Sequence, residues 1–328
     1  MNPWLAVSGC TPACADAGAV PGRRTARRLV AVDAALLPVR PPTGAPARVL
    51  AALGVEVEHS GDLPRTDGRP APLVVSNHVS WLDDLALAAL LPGIRPVAKA
   101  EVADWPVVGT WARRTGVVLH DRTRLSTLPA TVAETSALLR AGQAVGVHPE
   151  GTTACGARLG RFRPAFFQAA VDAAAPVLPV ALRYRTAAGP TTLAGYLGDD
   201  PLWRSLRRVA AADGLVLEVH VLPALRPGHD RRELAALAEY SVAGVVEAGA
   251  PVVPAHPRPA RRRPPVQRPA ARAVSSACPT CPSSRQTSTS STAEPTKANQ
   301  NGPVTPQTRA TTPPTAWPTR MPPKTPIA

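Results

Sequence analysis

The sequence predicts an α/β domain: a largely parallel central sheet flanked by helices, with disordered N-terminal and long C-terminal tails. Three observations carry this expectation. Short apolar runs alternate with helix-period segments between residues 70 and 250. A helical stretch separates most successive runs, and parallel strands need such crossovers. Charge and proline are concentrated at the ends. The 328 residues carry a net charge of +14, of which residues 251–328 supply +10 and residues 1–50 supply +4. Residues 51–250 are therefore neutral overall, while the C-terminal stretch holds 18 of the 40 prolines.

The elements follow in order. Pro72–Ser76 (PLVVS) reads as a buried strand, and Trp81–Leu91 as a helix stopped by Pro92. Ile94–Lys99 is the second strand. Pro106–Thr115 is helical, with its proline suited to a first turn. Val117–His120 is the third strand. Leu125–Arg140 spaces Leu128, Val132, Thr135 and Leu139 along one helical face and ends before Gly142. Ala144–His148 is the fourth strand, Ala165–Ala174 a helix, Val177–Arg183 the fifth strand and Leu215–Leu222 the sixth. Arg231–Ala248 closes the series as an amphipathic helix.

This organisation gives four regions. Residues 1–22 are expected to be a disordered N-terminus, and 23–69 a basic and apolar, membrane-proximal helical segment with its lead-in. Residues 70–250 are expected to form the α/β domain, and 251–328 a disordered Pro/Thr/Arg-rich tail with too few bulky apolar residues to offset chain entropy. The tail's charge suggests nucleic acid, but the aromatic residues that base stacking needs are missing apart from Trp317, so no specific nucleic-acid partner is expected. The tail reads either as a membrane-surface anchor or as unpatterned sequence.

Cysteine and apolar patterning exclude further classes. The five cysteines comprise the pairs Cys10/Cys14 and Cys278/Cys281 and the single Cys155. Both pairs lie in low-complexity ends without a histidine at ligand spacing, so neither a disulfide framework nor a metal site is expected. No apolar run reaches about 18 residues, so no transmembrane helix is expected. Arg23–Leu37 feeds a basic stretch into a short apolar helix. That pattern suits a segment lying at an anionic leaflet, or a helix packed on the domain. A serine hydrolase would need a G-x-S-x-G elbow, and the sequence has none.

The richest segment is Ser76-Asn77-His78-Val79-Ser80-Trp81-Leu82-Asp83-Asp84, placed between a buried strand and a helix. Ligands of open α/β sheets bind at such strand ends. Ser80 followed by Asp83 signals helix entry. His78 then projects from the loop with Asp83 one turn behind it. A carboxylate on one imidazole nitrogen fixes the tautomer and leaves the other free to take a proton.

This segment resembles the first signature block of the glycerolipid acyltransferases, the 1-acyl-sn-glycerol-3-phosphate acyltransferases, whose pattern is Asn-His-x4-Asp. Further blocks follow in the family's order. Lys99-Ala100-Glu101 with Trp105-Pro106 and Gly109 is similar to its K-x-E and W-P-x-x-G stretch. Gly116–Arg122 resembles the second block. Val147-His148-Pro149-Glu150-Gly151-Thr152 resembles the third, with His148 where Phe is usual, and Ala175-Pro176-Val177-Leu178-Pro179-Val180 resembles the fourth. The third block departs again after Thr152, where Thr153-Ala154-Cys155 stands in place of the usual Arg or Ser; Arg158, Arg161 and Arg163 follow shortly after.

The resemblance implies transfer of an acyl group to the sn-2 hydroxyl of a 1-acyl-glycerol-3-phosphate, giving phosphatidic acid. The catalytic pair would be His78 and Asp83. Lys99 and Arg122 would grip the acceptor phosphate, and Glu150, Gly151 and Thr152 would bind the acceptor or order its loop. The donor would be acyl-CoA or acyl-carrier protein, with no cofactor, and the chain would act as a peripheral protein on the cytoplasmic face of the cell membrane. Two alternatives stay open: another lysolipid acceptor such as lyso-ornithine lipid, and a catalytically inactive lipid-binding member of the family.

Overall fold

The computed structural model describes residues 6–15, 23–36, 44–64, 70–105, 108–228 and 230–250. The expected disordered tail 251–328 lies outside them. Eight strands form one sheet: β1 (Val55–Ser60), β2 (Leu73–Ser76), β3 (Arg95–Lys99), β4 (Val118–His120), β5 (Val145–Val147), β6 (Val177–Thr186), β7 (Gly189–Pro190) and β8 (Leu215–Val221). Their order is β1-β8-β6-β2-β5-β3-β4, with the short β7 hairpinned onto β6. The pairs β1–β8, β2–β6, β2–β5, β3–β5 and β3–β4 are parallel, and β6 runs antiparallel to β7 and β8. The largely parallel sheet expected from the sequence is the one found.

Helices cover both faces, which is why the central strands read as continuous apolar runs rather than alternating ones. Successive residues of β2 point to opposite sides. Val74 packs with α1 (Arg23–Leu36), α2 (Ala45–Leu53), α3 (Leu82–Leu90) and α7 (Leu202–Ala211), through Val32, Leu50, Leu82 and Val209. Leu73 and Val75 pack with α5 (Leu128–Arg140), α6 (Phe167–Ala173) and α8 (Arg231–Ala248), through Leu139, Phe167 and Val242. The remaining helix, α4 (Val108–Thr115), lies between β3 and β4 in the chain. Asp230 caps α8 by accepting from the Arg232 amide (2.7 Å), so this helix starts where the sequence places it.

Besides the short β7, three elements escape the sequence reading. Helix α2 is short, with Pro46 in its first turn, and it ends at Gly54 in the left-handed conformation (φ 70°). Strand β1 (VEVEHS) alternates, as an edge strand does, and it pairs with β8. The sheet therefore begins at Val55 and not at residue 70. Helix α7 completes the set, with its buried Ser205, Val209 and Ala210 turned inward. At the N-terminus, residues 6–15 of the stretch expected to be structureless are placed. Ala15 is fully buried, with Cys10 and Cys14 beside Cys155 and Leu197, because these small apolar groups fill one satellite cluster.

Phe167 is fully buried at the centre of the second core cluster. Phe167→Ala is expected to lower unfolding free energy by about 3–5 kcal/mol, measured by urea denaturation. A change within experimental error would contradict the packing described.

Candidate active site

The site is built at the carboxyl ends of the parallel strands. Strand β2 ends at Ser76, and its next residue, Asn77, is fixed by its side chain. Asn77 Nδ2 donates to the Leu182 carbonyl (2.9 Å), and its Oδ1 accepts from the Leu182 amide (2.7 Å). The amide thus mimics one more ladder step onto β6 and stops the chain from wandering where the strand ends. The following loop is tied from the other side. The Ala154 amide donates to the His78 carbonyl (2.8 Å), and the Tyr196 amide to the Val79 carbonyl (2.9 Å).

His78 and Asp83 meet as the sequence predicts. His78 Nδ1 donates to Asp83 Oδ2 (2.9 Å), and the same oxygen accepts from the Val79 and Ser80 amides (2.7 and 2.9 Å). The Ser80 contact is the carboxylate half of a capping box; no side-chain hydrogen bond caps the start of α3. Asp83 Oδ1 accepts from the Tyr184 hydroxyl at 2.5 Å. The Asp83 side chain is fully buried, and that of His78 is 15% exposed. With Nδ1 committed as donor, Nε2 carries the lone pair. Burial, reinforced by His148, lowers the His78 pKa against the pull of Asp83, so the ring favours its neutral form.

His148, just beyond β5, lies flat on His78 with ring centroids 3.9 Å apart and planes 4° off parallel. Its Nε2 bonds Asp84 Oδ1 (3.1 Å); its Nδ1 faces Ser76 Oγ (3.0 Å) and the Asn77 carbonyl (3.2 Å). Burial opposes charge on this ring, but Asp84 outweighs it and raises the His148 pKa.

The loop after β5 is bolted to the His78 loop by Glu150. Its Oε2 accepts from the His78 amide (2.8 Å) and its Oε1 from the Gly160 amide (2.5 Å). Burial pushes this carboxyl up to about 7 in spite of both donors. Glu150 therefore orders the loop, one of the two roles open to it from sequence. Gly151 turns the chain at φ 73°, and its carbonyl accepts from Arg122 Nη1 (3.0 Å). Thr152 is half-buried and does not line the pockets described below.

Two pockets flank the Asp84–His148 pair. One, of about 120 Å³, is lined by His148, Gly151, Arg122, Arg163 and His120 together with apolar residues. The buried His120 Nδ1 has no hydrogen-bond partner among the described residues. The other, of about 250 Å³, is apolar and runs between α1, α2, α3 and α7, with Val32, Val49, Trp81, Asp84 and Leu206 in its wall. The pair Asp84–His148 contributes one residue to each, and Ala98 lines both. Lys99 is not brought into the polar pocket: its ammonium lies 4.9 Å from the centre of the Trp105 ring. The sequence gives no sign of the parts played by Tyr184 and His120, which come from other strands. Among the described residues, no group of three or more His, Cys, Asp or Glu side chains is placed to hold a metal ion.

Tyr184→Phe removes one hydroxyl and leaves a buried carboxylate oxygen of Asp83 without its donor. The variant is expected to lose about 1–3 kcal/mol of stability, read from urea unfolding. Unchanged stability would show that this bond does not hold Asp83.

Known proteins are similar to this chain. The Acyltransferase family profile matches residues 54–183. The 1-acyl-sn-glycerol-3-phosphate acyltransferase of Neisseria gonorrhoeae is 37% identical over 181 residues, covering 52% of this chain and 69% of that protein. The lyso-ornithine lipid O-acyltransferase of Pseudomonas aeruginosa is 37% identical over 201 residues, covering 60% of this chain and 74% of that protein. The crystal structure of the 1-acyl-sn-glycerophosphate acyltransferase of Thermotoga maritima aligns with a TM-score of 0.48 at 19% identity, covering 69% of this chain and 94% of that one. The chain spans more than two thirds of relatives that are 37% identical to it, and it belongs to the acyltransferase family in which they stand.

Proposed function

We propose that the chain transfers an acyl group from acyl-CoA or acyl-carrier protein to the sn-2 hydroxyl of 1-acyl-glycerol-3-phosphate, forming phosphatidic acid. The observation that carries this reading is the Asp83-anchored His78 stacked on His148, which lines a cationic pocket, while its partner Asp84 lines an apolar one. His78 Nε2 takes the hydroxyl proton while the acceptor oxygen forms its bond to the thioester carbonyl carbon. The carbon–sulfur bond then breaks, and the departing thiolate takes the proton from His78. The acceptor oxygen is itself the nucleophile, so no acyl-enzyme is formed.

Arg122 is the principal phosphate ligand. Burial disfavours its charge, so an anion in the adjoining pocket is favoured there. Arg163 and the unpartnered His120 Nδ1 line the same pocket, and Gly151 keeps Arg122 in place through its carbonyl. Lys99 adds charge at the end of the neighbouring strand rather than a direct contact in this conformation. The apolar pocket takes a fatty chain.

The enzyme works at the cytoplasmic face of the cell membrane as a peripheral protein. Helix α1 lines the mouth of the apolar pocket through Val32 and Leu36 and exposes Arg27 and Val30. Among the described residues, no helix is long and apolar enough to cross a membrane. The second reading, lyso-ornithine lipid as acceptor, is favoured by the Pseudomonas aeruginosa relative and by the withdrawal of Lys99 from the polar pocket.

Purified full-length protein is to be given labelled acyl-CoA with either lysophosphatidic acid or lyso-ornithine lipid on vesicles. His78→Ala is expected to lower turnover by about 10²–10⁴-fold with the fold intact by circular dichroism. Arg122→Ala should raise KM for lysophosphatidic acid while leaving any lyso-ornithine activity little changed. Near-normal turnover by His78→Ala would overturn the mechanism, and a preference for lyso-ornithine lipid would transfer the assignment to that acceptor. The acid limb of kcat/KM should lie below pH 6.5, the ordinary histidine value, because burial and His148 lower the pKa of the base; an acid limb above it would contradict the described environment.

A further inference from the structure

His148, one of the residues that depart from the family pattern, is held at both ring nitrogens. Both of its ring nitrogens face acceptors. The Asp84 carboxylate at Nε2 and the Asn77 carbonyl at Nδ1 can only accept, and Ser76 Oγ shares Nδ1. When Nε2 donates to Asp84 and Nδ1 to the Asn77 carbonyl, the ring carries a hydrogen on each nitrogen and is a cation. The Asp84 carboxylate favours that form over the neutral ring in which Ser76 Oγ donates to Nδ1. The His148 side chain is 6% exposed. This cation lies face to face with His78 at 3.9 Å.

We propose that His148 is a positioning residue for His78: an imidazolium held by Asp84 and the Asn77 carbonyl, it fixes the plane of the catalytic ring and keeps that ring unprotonated until the acceptor arrives. The inference rests on the reading of His78 as the base. A cation on the face of a neutral ring is an attractive contact. Two cations in the same stack repel one another. The stack therefore favours His78 neutral before the reaction. Once His78 has taken the hydroxyl proton, the stack disfavours keeping it, and the proton passes to the departing thiolate. A phenylalanine at this position supplies the flat plate but not the charge.

Other ionisable groups surround the pair. Asp83 and Asp84 project from α3, Glu150 accepts from the His78 amide, and Tyr184 reaches Asp83 from β6. Arg122, beyond β4, lies close enough to act on Asp84. Of these groups only His148 stacks on the His78 ring, so replacing it changes the charge on that face alone. The acidic neighbours pull His78 in the opposite direction, toward protonation.

The test is a pH titration of the histidine ring signals in full-length protein labelled with 13C-histidine, with His78 and His148 assigned by comparison with His78→Gln and His148→Phe. In the unaltered protein, the His148 signal should stay in its imidazolium position at pH 7 while that of His78 is neutral. His148→Phe should move the His78 midpoint to higher pH, and the acid limb of kcat/KM with it. Asp84→Asn keeps the stack but removes the anion, and should lower the His148 midpoint. A His148 ring that is neutral at pH 7, or a His78 midpoint unmoved by His148→Phe, would overturn the proposal. If His148→Phe does not fold, an unmoved His148 midpoint in Asp84→Asn would overturn it equally. The titration needs no turnover, so a failed acyl-transfer assay with normal ring titrations would count against the function and not against the coupling of the two rings.

Discussion

The carboxylate of Asp83 is the constraint on which the site depends. It is fully buried, and both oxygens are engaged: one by the His78 ring and two amides, the other by Tyr184. A buried carboxylate needs hydrogen-bond donors, and this one has four. The carboxylate does three things at once. It fixes the His78 tautomer, closes the turn between β2 and α3, and joins that turn to β6 through Tyr184. The proposed base and the local fold share the same four bonds, so the placing of His78 is tied to the core around it.

The sheet explains why the other groups converge. β2 lies at the centre with β6 on one side and β5 on the other, and β3 and β4 follow beyond β5 in parallel. Their carboxyl ends therefore share one edge, as in open α/β sheets generally. His78 follows β2, His148 to Gly151 follow β5, Lys99 ends β3, and Arg122 follows β4. The antiparallel β8 and β1 extend the other half of the sheet and carry none of these groups. Asn77 then ties the end of β2 to β6, and Glu150 joins the loops after β2 and β5, where the strands have ended.

Much of this was legible in the sequence, and the rest failed for physical reasons. His78 and Asp83 were readable because both lie within one turn, where spacing alone sets distance. The central strands were readable because burial on both faces leaves uninterrupted apolar runs. Tyr184 was not readable, since its partner is 101 positions earlier in the chain and only the pairing of β6 brings them together. Strand β1 carried a period-two signal in VEVE, but its exposed edge face made it look like lead-in. Lys99 was placed correctly at a strand end, yet a strand end does not set the direction of a four-carbon side chain, and its ammonium lies on Trp105 instead. His148 was visible as a departure from the family pattern; its stacking on His78 was not, because it depends on the register between β2 and β5.

The central claim is that His78 and Asp83 act as one unit. Its most direct test is a double-mutant cycle on acyl transfer with His78→Ala, Asp83→Asn and the pair. If Asp83 acts only through His78, the double variant should be no slower than His78→Ala alone, as expected for groups that act together. Losses that multiply would show that the two residues contribute separately, and would contradict the account.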